Sequence, residues 1–193
     1  MPELAALLAE LTCGDDERAE SAALQLAGYG ESAFQALRNL LRDEDVDARW
    51  WAIRALAQFE TLEKVNFELV AALQDGSSDV RQCAAMALCH HPHPGAVSPL
   101  NRALSDPDTM TASLARNALI QIGAGAVPEL IETLRAGSRA AKLEALRALA
   151  EIKDPRAIPP LMQALDQDSA LMQYWAEHGL DKLGLGMVYL KPE

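Results

Sequence analysis

Six copies of a leucine-and-alanine frame run along the chain. Anchored on Leu26, Leu56, Leu88, Leu119, Leu149 and Leu180, each copy places an alanine four residues earlier, at Ala22, Ala52, Ala84, Ala115, Ala145 and Ala176. The residue just before the anchor is small in five copies, Ala55, Ala87, Ala118, Ala148 and Gly179, and is Gln25 in the first. Three residues after it stand Tyr29, Phe59, His91, Ile122, Ile152 and Leu183. Positions three and four apart share one face of an α-helix, so every copy predicts an amphipathic helix. A period of about thirty-one residues is the signature of a repeat protein.

A second frame alternates with the first: Ala33/Leu37/Leu41, Val65/Leu69/Leu73, Ala96/Leu100/Leu104, Ala126/Leu130/Leu134 and Ala157/Leu161/Leu165. Helices of the first frame are called A and those of the second B. From the last Leu of each B helix to the next A anchor the distance is fifteen residues in every case, whereas the A-to-B distance varies from eleven to thirteen. The B-to-A connection is therefore fixed, and length variation falls in the A-to-B turn, where it does not disturb stacking. The parse is a capping B helix at about 3–12, five pairs at about 16–42, 46–74, 78–104, 108–135 and 138–165, a last A helix at 169–183 and a tail at 184–193. This predicts an all-α solenoid of about twelve helices, one repeat domain over 1–193 with a capping helix at each end.

The turns agree. Acids precede the A helices at Asp15-Asp16-Glu17, Asp43-Glu44-Asp45, Asp75 with Asp79, Asp106-Pro107-Asp108, and Asp166 with Asp168, with Ser138 in that place before the fifth. Such side chains cap free helix amides for about 0.5–2 kcal/mol each. Prolines at Pro99, Pro128, Pro155, Pro159 and Pro160 open B helices, where a missing N–H costs little.

Charge narrows the partners. The net charge is -11, and it is uneven: residues 1–68 hold fourteen acids against six bases, a net of -8, and the rest fourteen against eleven, a net of -3. Nucleic acid is disfavoured, because phosphate binding needs clustered Lys and Arg; a protein with a basic surface is favoured. Cys13, Cys83 and Cys89, odd in number and irregularly spaced, predict free thiols in a reducing compartment. The start lacks a signal-peptide pattern and no apolar run reaches spanning length, so the expectation is a cytoplasmic protein without membrane attachment.

Asp47-Ala48-Arg49-Trp50-Trp51-Ala52-Ile53-Arg54-Ala55-Leu56 and Asp79-Val80-Arg81-Gln82-Cys83-Ala84-Ala85-Met86-Ala87-Leu88 resemble the short HEAT-like repeat of phycobilisome lyases. The likeness covers nearly the whole chain and implies the HEAT fold. Its arginine slot is filled by Ala19, Ala112, Lys142 and Gln173 in the other copies, which breaks the regular Asp–Arg ladder towards both ends. Its functional implication is a subunit of a bilin lyase or a related cofactor-attachment chaperone, acting with a partner.

Candidate sites follow from what the frame leaves over. Asp43, Glu44, Asp45 and Asp47 exceed the needs of one cap and mark an acidic edge for a basic partner. Trp50-Trp51 and Tyr174-Trp175 occupy equivalent places in the second and sixth A helices; packing between repeats accounts for most of this, and partner contact for the remainder. B-helix residues beside the Leu frame, Val70, Arg102, Ile131 and Met162, are expected to line the concave face. Cys89, His90 and His93 carry zinc-type donors, but they crowd one turn and His91 fills an apolar slot, so no metal is expected, and no cofactor. Paired carboxylates, a Ser-His-Asp set and a phosphate loop are all missing from the sequence pattern. The expected role is a non-catalytic scaffold or assembly factor, with the bilin-lyase subunit as the alternative and a HEAT-like DNA repair protein disfavoured by charge. After Leu183 no B helix follows, so the tail either covers the last A helix in a monomer or leaves it open for a dimer.

Overall fold

The computed structural model describes residues 3–59, 63–167 and 169–186. Among them are twelve α-helices and no strand: α1 Leu4–Leu11, α2 Asp16–Leu26, α3 Gly30–Leu40, α4 Val46–Leu56, α5 Glu63–Ala72, α6 Ser78–His90, α7 Val97–Ala103, α8 Thr109–Ile122, α9 Val127–Ala136, α10 Arg139–Ile152, α11 Ile158–Leu165 and α12 Ala170–Lys182. The odd-numbered helices are the B set and the even-numbered ones the A set. The fold is the expected helical repeat solenoid. The helices pack into two compact units, Met1–His91 and Pro92–Glu193.

The two frames are the core. All six anchor leucines have no exposed surface, and the alanines four residues earlier are at most 1% exposed. Burying one such leucine contributes roughly 1.5–3 kcal/mol. Leu37, Leu69, Leu100, Leu130 and Leu161 of the B frame are likewise fully enclosed. Each B helix packs mainly on the A helix that follows, α1 on α2 and so on to α11 on α12. The two capping helices of the sequence parse are thus each one half of a hairpin.

Within each unit the A helices also stack on one another, α2 on α4 on α6 and α8 on α10 on α12, while among the B helices α7 and α9 come nearest, and far less extensively than any A pair. Small residues cause the difference. Ala or Gly at the two A-frame slots, Gln25 excepted, lets A backbones come close, whereas B helices carry leucine at two of their three frame positions and splay. Helices that close up on one side and diverge on the other make that side the inner one. The A helices form that inner side of each unit, and Val70, Arg102, Ile131 and Met162, expected along a concave B-helix face, stand on four separate B helices.

At four of the six A-helix starts a capping residue read from sequence closes its helix: Asp15 accepts from the Arg18 amide, Asp45 from that of Asp47, Asp108 from that of Thr111 and Ser138 from that of Ala141, whereas α12 starts at Ser169 with no side-chain cap. The third A helix differs. Its cap is Ser77, accepting from the Asp79 amide, and Asp75 instead binds Arg49 through two hydrogen bonds of 2.8 and 2.9 Å. Arg49 also donates to the Asp43 and Glu44 carbonyls, and Arg81 to those of Asp75 and Gly76. Gln173 in the same slot donates to the Gln167 carbonyl at 2.7 Å. The slot's task is to gather the carbonyls of the preceding turn, and an amide does it as a guanidinium does. Asp168 and residues 187–193 lie outside the described residues, and with them most of the tail.

Candidate functional site

Among the described residues seven large apolar side chains stand exposed: Leu24, Phe67, Met86, Met110, Met162, Leu171 and Tyr174. Five of them belong to A helices, and all five fall nine, six or two residues before the anchor leucine. Those slots are spaced three and four apart and form one stripe on the inner side. Nine before the anchor stand Glu17, Asp47 and Asp79 in the first unit and Met110, Ala140 and Leu171 in the second. At this slot the stripe is acidic in the first unit and apolar in the second.

In the first unit it frames a cleft of about 630 Å³ between the N-terminal halves of α2 and α4. Asp16, Glu20, Asp45, Asp47 and Asp79 supply its carboxylates, with Trp50 and Trp51 as aromatic walls. The two indoles meet edge to face, 4.8 Å between centroids, which holds both in one orientation. Glu20 is engaged by Arg54. Among the described residues no ion pair reaches Asp16, Asp45, Asp47 or Asp79. A second cleft of about 500 Å³ adjoins it between α4 and α6 and shares Trp50 and Asp79. Its walls are largely apolar: Ala57, Ala87, the half-exposed Met86 and Cys83. Burial pushes the Cys83 thiol up to about 12, so this sulfur is an apolar wall and not a nucleophile.

Of the acids marked by sequence, Asp45 and Asp47 line the cleft, whereas Asp43 and Glu44 contribute backbone carbonyls to Arg49. Asp16 and Asp79, which read in sequence as helix-start acids, and Glu20, which the sequence reading did not single out, complete it. The signal that finds them is the slot spacing on the A helices, which brings acids thirty or so residues apart onto one face. Val70, Arg102, Ile131 and Met162 sit on four separate B helices and contribute to neither cleft.

Tyr174 and Trp175 hold the matching slots in the second unit. Trp175 is enclosed by Tyr174, by His178 and by the Arg147 guanidinium 5.3 Å above its ring, a cation–π interaction. Arg147 also pairs with Glu144, which Arg116 reaches as well. Trp175 therefore packs, while Tyr174 is 57% exposed. His178 and Lys182 both reach Glu151, and Lys182 holds that carboxyl below the usual carboxylate range.

The cysteine–histidine run is dispersed. His91 donates from Nε2 to the Ala57 carbonyl at 2.7 Å. His93 accepts the Gly95 amide at Nδ1, His90 borders the apolar cleft and Cys89 is half-buried with its thiol raised by burial. Among the described residues no three potential metal ligands converge. No helix of the described chain is long and apolar enough to cross a membrane.

Known proteins agree with this architecture. A model of HEAT repeats matches residues 4–67, 68–135 and 115–181. The bilin biosynthesis protein RpcF of Synechococcus sp. (strain WH8020) is 39% identical over 75 residues, a match that spans 38% of this chain and only 36% of that relative. Among solved structures, the complex of CpcE and CpcF of phycocyanin lyase from Nostoc sp. PCC7120 aligns over 95% of this chain and 78% of that one, at 22% identity and a TM-score of 0.56. An archaeal HEAT-like repeats protein from Thermococcus onnurineus NA1 aligns over 95% and 81%, at 15% identity and a TM-score of 0.62. At these identities the structures speak for the fold alone. The matched segments of the repeat model run through nearly the whole chain, and the protein belongs to the HEAT repeat family.

Proposed function

We propose that this chain is a protein-binding subunit of the kind that bilin lyases employ, and that it performs its task together with a second protein. The observation that carries the reading is the inner stripe of the A helices: large apolar side chains left in water, aligned across repeats, are the mark of a surface that another molecule covers. The likeness to RpcF favours the bilin-lyase form of this role over a plain scaffold. That form is the alternative on sequence alone and here takes precedence. The clefts have the size of ligand sites, and the one thiol lining them, Cys83, is kept protonated by burial, which supports a subunit whose contribution is binding and orientation.

Reconstitution tests it. The tagged chain is cross-linked in its source cells, the bound protein is identified and purified, and the two are mixed with a bilin and an acceptor protein. A stoichiometric complex and a visible absorbance change on pigment attachment, absent with either subunit alone, are the expected results. A complex without any pigment effect returns the role to a scaffold, and a chain that attaches pigment alone overturns the subunit reading.

A further inference from the structure

The two clefts of the first unit differ in chemistry but share a wall. Trp50 and Asp79 border both. On one side lies carboxylate, and on the other an apolar floor of Met86, 52% exposed, with Ala57, Ala87 and the protonated Cys83. Resting on the partner-binding reading above, we infer that this double cleft takes an extended peptide segment of a partner protein, with a Lys or Arg seated among the carboxylates and a large aliphatic side chain on Met86.

Charge complementarity selects this occupant. The acidic cleft offers Asp16, Asp45, Asp47 and Asp79, none of them ion-paired among the described residues, and the nearby cations Arg49 and Arg54 are already engaged by Asp75 and Glu20. An anionic ligand would meet these like charges, whereas a guanidinium gains both the carboxylates and the indole faces beside them. An all-basic segment would leave the Met86 floor in water, and an all-apolar one would bury unpaired carboxylates at a cost. The spacing follows as well. One cleft lies between α2 and α4 and the next between α4 and α6, so the ligand crosses one helix spacing of about 8–10 Å. An extended chain rises about 3.3 Å per residue, which places the basic and the aliphatic side chains about three residues apart.

The probe is a short labelled peptide with an arginine pair three residues before a leucine pair, titrated against the Trp175→Phe chain so that Trp50 and Trp51 are the remaining indoles. Peptide anisotropy and indole emission are both followed. The expected result is saturable binding that changes the emission and weakens as salt rises, with at least about a tenfold loss when the arginines become glutamates or the leucines become serines. Asp47→Asn with Asp79→Asn produces a comparable loss, and Met86→Glu weakens the parent peptide while sparing one that lacks the leucines. Melting curves of these exposed-site variants confirm that they fold. Equal binding of all peptides, or parent-like affinity in the double asparagine variant, overturns the inference. A purified partner whose complex survives both Met86→Glu and the double variant overturns it as well but leaves the partner-binding reading standing; a chain that captures no partner overturns that reading, whatever the peptide does.

Discussion

Gly179 is the smallest residue in a slot that holds alanine in four of the other five copies, and its replacement by alanine sets two known effects against each other. On helix propensity alone Gly179→Ala stabilises by about 0.8–1.0 kcal/mol. The structure opposes it. A Cβ built at Gly179 meets the Ala150 Cα at 2.9 Å, the Ala150 Cβ at 3.0 Å and Leu161 Cδ1 at 3.0 Å. A flexible side chain can turn away, but the Ala150 Cα is backbone of α10, stacked directly on α12. Relief requires the two helices to separate, an overpacking strain of about 1–3 kcal/mol. The net expectation is a loss of up to about 2 kcal/mol, or up to roughly 16 °C in melting temperature for a unit of this size. Urea unfolding followed by circular dichroism measures it. Ala150→Gly in the Gly179→Ala background removes the opposing methyl but leaves the α10 backbone in the way, so it restores part of the stability and not all. If Gly179→Ala alone unfolds later than the parent by the propensity gain, the α10–α12 approach is not as close as described and the reasoning fails.

Four further outcomes are expected. Ala84→Leu, at a fully buried A-frame position, overpacks α4 against α6 and costs about 1–3 kcal/mol in the same assay; an unchanged midpoint means the face is misassigned. Asp75 is held below the ordinary carboxylate range chiefly by its hydrogen bonds from Arg49. A depressed carboxyl pKa contributes stability above its unfolded value of about 3.9 and loses it as pH falls through the folded value. Asp75→Asn should therefore lower stability at neutral pH and flatten its fall in acid, and an unaltered pH profile refutes the coupling. Asp154, brought to about 2 by Arg156, should titrate near that pH by carbon-13 NMR of its carboxyl and move upward in Arg156→Gln. In alkylation at mildly alkaline pH, exposed Cys13 should react well before Cys83, whose thiol burial keeps protonated; first labelling at Cys83 contradicts its place in the apolar wall.

The sequence by itself determined the fold. Helix identity, the order of A and B, the caps at Asp15, Asp45, Asp108 and Ser138 and the buried anchors are all consequences of local spacing, because a 3.6-residue period and a capping side chain act within one or two turns. Trp50, Trp51, Asp45 and Asp47 were legible as residues exceeding what the frame needs. Which helices form the inner side was not legible. Both frames read as one apolar face, and only the stacked backbones show that Ala and Gly slots draw A helices together while leucines hold B helices apart. Tertiary structure likewise decided that Asp16, Glu20 and Asp79 join Asp47 around two indoles while Asp43 and Glu44 turn their carbonyls to Arg49. Residues thirty positions apart become neighbours only when repeats stack, and the stacking distance is set by the smallest side chains between them.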